Sequence, residues 1–274
     1  MVSDRDFEVI YKRPESVLTY FPAKDGDKTV THYCPGCGHG ILHRIVGSAI
    51  DKLGIREDTI MLSPVGCAVF LYYYFNTDHI QAPHGRAPAV AVGAKRYLDA
   101  AYGKNKKIVI SYQGDGDLAA IGTAEIINAA QRGDNITVIF VNNSIYGMTG
   151  GQRAPTTLPG MKTTTTPYGN DPKDFGEPFR ISEMIAVASG SYYIERCALF
   201  DAKHIMKTQK AVEKAIKVQI EGKGFSLVEV LSNCPTNWKM DAISSMDFVK
   251  NEMTKYFPIG IIKDKGKIVG DLNV

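Results

Sequence analysis

Apolar positions fall into two kinds of run along this chain. Short, largely β-branched stretches occur at 59–65 (TIMLSPV), 107–112 (KIVISY), 136–143 (ITVIFVNN), 190–195 (GSYYIE) and 225–231 (FSLVEVL). Such runs predict strands covered on both faces. Between them, apolar residues recur at helical spacing over 38–53, 87–101, 118–132, 181–189 and 201–221. In the first of these, Ile41, Leu42, Ile45, Val46, Ala49, Ile50 and Leu53 share a face. In the last, a Lys-rich face opposes Ile205, Val212, Ile216 and Ile220. Strands alternating with helices predict an α/β fold, a mostly parallel sheet covered by helices on both faces. The segment 149–180 breaks the rhythm. It is rich in Gly, Pro and Thr and long for a loop, which marks a functional or disordered segment. No repeat or linker divides the chain, so 1–274 reads as one domain, with a C-terminal extension from about 240.

Composition narrows the classes. The chain has 274 residues, 44% hydrophobic and 22% charged, as in ordinary globular proteins. Its net charge of +3 is spread along the chain with no dense basic cluster, which argues against nucleic acid as a partner. No apolar run approaches the roughly 18 residues of a membrane helix. The opening MVSDRDFEVIYKRPESV lacks the apolar core of a signal peptide. A cytoplasmic setting is expected, where the five cysteines stay reduced or metal-bound.

The stretch GDGDLAAIGTAEIINAAQRGDNITVIFVNN, 114–143, carries the first candidate chemistry. A strand runs into a glycine turn and then a helix, the place where open α/β sheets hold ligands. Gly114 and Gly116 allow tight dihedrals and close approach of a phosphate, and the following helix start offers free N–H groups. Asp115 between them would repel a phosphate, so a cation must mediate. Mg²⁺ prefers oxygen ligands and bridges protein oxygens to phosphates. Asn143, one helix and one strand later, offers a second oxygen, and a main-chain carbonyl near Ile145 a third. A plain turn in which Asp115 caps the helix is the simpler alternative for the Gly-Asp-Gly alone. Neither GxGxxG nor a Walker lysine is present.

The cysteines are the second candidate. HYCPGCGHG places Cys34 and Cys37 at a helix start, Cys67 follows a strand in SPVGC, and Cys234 follows another in NCPT. Cys-x-x-Cys alone admits zinc, an iron–sulfur cluster or a redox disulfide. A disulfide needs only two thiols, and strand ends on one sheet edge converge. Zinc and [4Fe–4S] both take four thiolates, and the residues alone leave that choice open.

The GDGD…NN pattern resembles the thiamine diphosphate signature of thiamine enzymes. With HYCPGCGHG, SPVGC, HGRAPAVAVGAK, YGMTGGQ and NCPT, spanning Cys34 to Thr236, the chain resembles the thiamine diphosphate-binding β subunit of 2-oxoacid:ferredoxin oxidoreductases. The resemblance implies the thiamine diphosphate-binding fold, as its diphosphate-binding domain. It implies Mg²⁺ on the side chains of Asp115 and Asn143 and the carbonyl of Ile145. It puts Gly114, Gly116 and Asp117 beside the diphosphate, and Tyr146, Gly147, Met148 and Thr149 along diphosphate and thiazolium. Cys34, Cys37, Cys67 and Cys234 would ligate a [4Fe–4S] cluster, with Cys67 also near the cofactor. A redox centre there could accept electrons from decarboxylation on thiamine, which a structural zinc could not. His84 and Arg86 of HGR would approach cofactor or substrate, unless they serve packing and surface pairing. His39 would approach the cluster or the diphosphate, or be structural. Cys197 matches no ligand position and reads as a small buried hydrophobe.

The implied reaction is CoA-dependent oxidative decarboxylation of a 2-oxoacid to acyl-CoA and CO₂, with electrons passing to ferredoxin. The chain shows only one sheet's worth of strands and no CxxCxxCxxxC run. The implied partners are therefore a pyrimidine-binding α subunit supplying the activating glutamate, a γ subunit and a ferredoxin-like δ subunit. The aromatic run 68–75 reads as packing or a subunit interface, with Val69 and Phe70 as candidate neighbours of a substrate side chain. It carries no Arg or Lys for a second carboxylate, which places branched-chain 2-oxoacids such as 2-oxoisovalerate ahead of 2-oxoglutarate. The alternative is a non-oxidative thiamine decarboxylase subunit with zinc at the cysteines.

Overall fold

The structure, a computed structural model, describes residues 13–18 and 31–272. The opening stretch read above for a signal peptide lies outside them except for 13–17. Helix α1 (His39–Leu53) follows the Cys-x-x-Cys loop. Strands β1 (Thr59–Ser63) and β2 (Asp78–Gln81) precede α2 (Ala87–Tyr102). Then come β3 (Ile108–Gly114), α3 (Thr123–Arg132) and β4 (Thr137–Asn142). A small antiparallel ladder, β5 (Ile145–Tyr146) with β6 (Gln152–Arg153), stands apart from the main sheet. The chain continues through α4 (Ile181–Ala186), β7 (Ser191–Ala198), α5 (Ala202–Ile220) and β8 (Phe225–Leu231). It closes with α6 (Ala242–Phe248), β9 (Gly260–Asp264) and β10 (Lys267–Ile268).

The main sheet runs β10-β9-β7-β8-β4-β3-β1-β2. From β7 to β2 every neighbouring pair is parallel, while β9 and β10 add an antiparallel edge. Alternation along the strands divides the core in two. Ile108, Ile110 and Tyr112 of β3 face Leu42, Ile45 and Val46 of α1 and Val212 and Ile216 of α5. Val109 of β3 and Val138 and Phe140 of β4 face Ala91 of α2, Ile126 of α3 and Ile185 of α4. Each such buried aliphatic side chain contributes about 1.5–3 kcal/mol. That double burial is why the strand runs carry no polar alternation. Cys197 sits in the first layer, 4% exposed, as a core residue.

Besides the two-residue strands β5 and β6, three strands of the main sheet went unread in the sequence, all at or next to its edges. β2 is the polar run DHIQ with no buried position, and β9 and β10 mix apolar residues with Gly, Lys and Asp. The helix expected over 118–132 is two pieces. A π-helical turn, Gly116–Ile121, precedes α3, and they meet at Gly122, whose N–H donates to the carbonyl of Asp117 at 2.8 Å. A Cβ on Gly122 would lie 2.7 Å from that oxygen and 2.8 Å from the oxygen of Gly85. The helix expected over 181–189 stops at Ala186, because Ser191 Oγ and Lys263 Nζ both take the carbonyl of Ala188, at 2.8 and 2.7 Å. The Thr-rich segment is tied down by its own side chains: Thr163 to Thr166 at 2.7 Å, Asn170 to the carbonyl of Thr157 at 2.9 Å, and Arg153 to Asn170 at 2.8 Å. No helix among the described residues is long and apolar enough to cross a membrane.

Because β1, β3, β4 and β8 are parallel, their C-terminal ends share one edge. Cys67, Asp115, Asn143 and Cys234 all follow those ends, the position where α/β sheets bind ligands.

Candidate functional site

A cavity of about 390 Å³ opens at that edge, large enough for a cofactor-sized ligand. Gly114, Asp115, Gly116, Asp117, Asn143 and Ile145 form one end of its lining; Tyr146, Gly147, Met148 and Thr149 continue it; Cys67, His39 and His84 complete it. Val65, Gly66, Ala68, Ile121 and Gln152 also line it and were not anticipated. A larger depression of about 530 Å³ lies elsewhere, among Arg13, Glu15, Asp51, Arg56 and Glu57. Its charges are consumed locally, Arg56 by Glu57 at 2.8 Å and Asp51 by the Ser16 N–H at 3.0 Å.

Asp115 is 3% exposed at the end of β3. Its Oδ1 accepts the Gly116 N–H at 2.8 Å, and its Oδ2 accepts the Thr156 hydroxyl at 2.7 Å and the Asn143 N–H at 3.3 Å. Burial pushes its carboxyl up to about 6 in spite of those bonds. All three donors are neutral, so the ionised form lacks a counter-charge that a dication would supply. Thr156 was missed in the sequence, where nothing distinguishes it from its threonine neighbours.

The two asparagines have different tasks. Asn142 is buried; its amide donates to Glu229 at 2.8 Å and its oxygen accepts the Ser144 N–H at 3.2 Å. Glu229 in turn meets Arg196 at 2.8 Å, and Arg196 also pairs with Glu183. Asn142 thus ties the loop to a buried ion network and helps hold Ser144 in the left-handed region, φ 58°. Asn143 faces the cavity, its oxygen only weakly engaged by the Ile145 N–H at 3.4 Å. The oxygens of Asp115 and Asn143, beside Ile145, are the donor types Mg²⁺ takes.

The glycines act differently from expectation. Neither Gly114 nor Gly116 has positive φ. Gly116 is required because a Cβ there would lie 2.1 Å from the Tyr146 ring, whose hydroxyl donates to the Gly116 carbonyl at 3.2 Å. Asp117 lines the cavity, but its carboxylate is already occupied. It meets His84 Nδ1 at 2.7 Å, the Gly85 N–H at 2.6 Å and the Gln113 amide at 2.5 Å. Through that contact Asp117 orients the His84 ring at the cavity wall. Arg86 is not among the lining residues; Glu125, on α3, takes its guanidinium. His39 is buried, bonded through Nδ1 to the Tyr112 hydroxyl at 2.7 Å and stacked on Tyr33 at 4.8 Å. Burial lowers its pKa to about 4, so the ring is neutral.

Of the four expected cysteines, Cys67 lines this cavity, and Cys234, Cys37 and Cys34 lie near enough to raise its thiol pKa; all four are free thiols. Gly147 stands between Cys67 and Cys234: a Cβ on it would lie 3.4 Å from either sulfur. Asn233 ties Cys234's loop to the Cys-x-x-Cys loop, donating to the Gly36 carbonyl at 3.0 Å. Burial pushes the Cys37 thiol up to about 11 and Cys67 to about 12, and each is raised further by the other cysteines. Among the described residues, no three His, Cys, Asp or Glu side chains group around a point as they would around a single ion. Val69 and Phe70 do not line the cavity; Phe70 stacks on His32 at 4.9 Å, and Val65 and Ala68 face the cavity instead.

Residues 65–230 match the C-terminal thiamine pyrophosphate-binding domain of thiamine pyrophosphate enzymes. The chain is 49% identical over 257 residues to the ketoisovalerate oxidoreductase subunit VorA of Methanothermobacter thermautotrophicus, covering 93% of this chain and 53% of that one. It therefore spans about half the length of that relative. It is 35% identical over 225 residues to the 2-oxoglutarate synthase subunit KorB of Archaeoglobus fulgidus, covering 82% and 78% of the two. Among solved structures, it resembles the 2-oxoglutarate:ferredoxin oxidoreductase of Magnetococcus marinus, with TM-score 0.67, 27% identity and coverage of 94% and 89%. A cavity that gathers the thiamine signature at one strand edge, and these relatives, place the chain among the thiamine diphosphate-binding subunits of the 2-oxoacid:ferredoxin oxidoreductases.

Proposed function

We propose that residues 1–274 work in the cytoplasm as a single thiamine diphosphate- and Mg²⁺-binding unit of an enzyme that converts a 2-oxoacid and coenzyme A to acyl-CoA and CO₂ and delivers two electrons to ferredoxin. The observation that carries this is the position of Gly147, which lines the cavity beside the Asp115–Asn143 end and also faces the sulfurs of Cys67 and Cys234, which a Cβ added there would meet at 3.4 Å. One cavity thus borders both an oxygen-rich and a sulfur-rich donor set.

Asp115 and Asn143, with the Ile145 carbonyl, hold Mg²⁺ and through it the diphosphate. Cys34, Cys37, Cys67 and Cys234 would hold a [4Fe–4S] cluster, which takes four thiolates. Thiamine diphosphate, when bound, supplies the electron sink for loss of CO₂, and the cluster an acceptor for single electrons. His84, fixed at Nδ1 by Asp117, presents its other ring nitrogen for a proton at the substrate. Arg86, paired to Glu125, anchors the turn that carries His84.

The substrate is a branched-chain 2-oxoacid such as 2-oxoisovalerate. Val65, Ala68, Ile121 and Met148 give the lining its apolar side, and neither Lys nor Arg is among the lining residues. A second carboxylate, as in 2-oxoglutarate, would need one. The partners are an α subunit carrying the activating glutamate, a γ subunit and a ferredoxin-like δ subunit. The test is the assembled complex purified without oxygen, assayed with pyruvate, 2-oxoisovalerate, 2-oxoglutarate and indolepyruvate. The expected result is about four irons at this chain's cysteines, bound thiamine diphosphate and the highest kcat/KM on 2-oxoisovalerate. One zinc per chain and CO₂ release without ferredoxin reduction would instead establish a non-oxidative decarboxylase.

A further inference from the structure

Asn237 belongs to none of the motifs above, yet it joins the two halves of the cavity. It sits in the one-turn helix Pro235–Trp238, which Cys234 begins. Its side-chain nitrogen donates to the Gly147 carbonyl at 2.8 Å and to the Cys234 sulfur at 3.3 Å. An amide NH₂ has two hydrogens, so both bonds form at once. The Asn237 main-chain N–H also donates to that sulfur. The rest of the side chain is held from the other side: a Cβ on Gly151 would lie 3.1 Å from Asn237 Oδ1 and 3.3 Å from its Cβ. Gly151 adopts φ 85°, and its N–H closes onto the Tyr146 carbonyl at 2.9 Å. The loop from Tyr146 to Gly151, which lines the cavity, therefore wraps this one amide. Trp238, 8% exposed and edge-on to Phe248 at 5.0 Å, fixes the turn from below.

We infer that Asn237 is a positioning residue that hydrogen-bonds the Cys234 thiolate and the cofactor loop together, and thereby sets the reduction potential of the cluster. This rests on the functional reading above. A hydrogen bond to a cluster sulfur stabilises the more negative, reduced state. Because the same nitrogen holds Gly147, the distance between sulfur and cofactor loop is fixed by the group that tunes the sulfur.

The experiment is a redox titration of the assembled oxidoreductase, followed by electron paramagnetic resonance, comparing wild type with Asn237→Leu and Asn237→Gln. Leucine keeps the γ-branched shape and removes the side-chain donors; glutamine keeps them. In Asn237→Leu the potential of one cluster falls, the reduction equilibrium changing about tenfold, or roughly 59 mV for one electron. Iron and thiamine diphosphate stay at wild-type content, and Asn237→Gln returns part of the shift. An unmoved potential with full iron content overturns the inference and leaves the functional reading standing. A complex whose cluster signals and iron content are unchanged by Cys234→Ala overturns both. If Asn237→Leu does not assemble, wild-type complex labelled with ¹⁵N in asparagine side chains decides. Pulsed resonance of the reduced cluster then shows coupling to one amide nitrogen, and absence of that coupling overturns the inference.

Discussion

The two halves of the cavity are built by opposite means. In the oxygen half, Asp115 and Asn143 close the adjacent strands β3 and β4, and a web of neutral donors fixes them before any metal arrives. In the sulfur half, loops about 200 residues apart in the chain are held by packing and by the Asn233–Gly36 bond. Its buried thiols are protonated while no metal is bound, with Cys37 near 11 and Cys67 near 12. One half is a preformed anion that lacks a cation. The other must release protons before it can bind at all.

If the halves are independent, Asp115→Asn lowers thiamine diphosphate affinity at least about 100-fold while iron content stays at the wild-type level. Calorimetric titration and iron analysis on one preparation check this, and a joint loss would break the contrast. Conversely, Cys234→Ala empties the cluster and, because Asn237 bonds both that sulfur and Gly147, weakens thiamine diphosphate binding too, but by less than about tenfold.

The next effect is on pH. The Asp115 carboxyl stands at about 6 in the fold, above its ordinary value of 3.8. The folded state therefore holds the extra proton, and the metal-free chain loses stability as pH rises from about 4 to 6, by on the order of 3 kcal/mol. Urea titrations with a chelator should show that decline, and Mg²⁺ with thiamine diphosphate should flatten it. Thr156→Val removes one donor to the carboxylate and should weaken Mg²⁺ binding about tenfold, measured with thiamine diphosphate in excess. The smallest effect is expected at Gly147→Ala. The added Cβ would make ordinary contacts of 3.4 Å with both sulfurs, so stability should change by less than about 1 kcal/mol. A collapse of iron content in that variant would mean that the thiols lie closer to the loop than the structure places them.

Sequence patterns were sufficient where burial is two-sided. The runs at 59–65, 107–112 and 225–231 became β1, β3 and β8 because core strands tolerate little besides apolar residues. β2, β9 and β10 left no such imprint, since an edge strand can be polar. The cavity lining was legible through its glycines, acid and amides, whose types suit a metal and a phosphate. Thr156, Gln113 and Asn237 were not, because each acts through a contact made across the fold. Arg86 shows its second reading, surface pairing. Its type suggested an anion, and a glutamate on α3, far along the chain, satisfies it.

The bond from Asn233 to Gly36 closes a loop of 197 residues. Contacts of such span are entropically costly and form late in folding. The four sulfurs therefore come together only once synthesis has passed residue 234 and the sheet has closed through β8. Any cluster these thiols hold would therefore be loaded onto a sheet that has already folded.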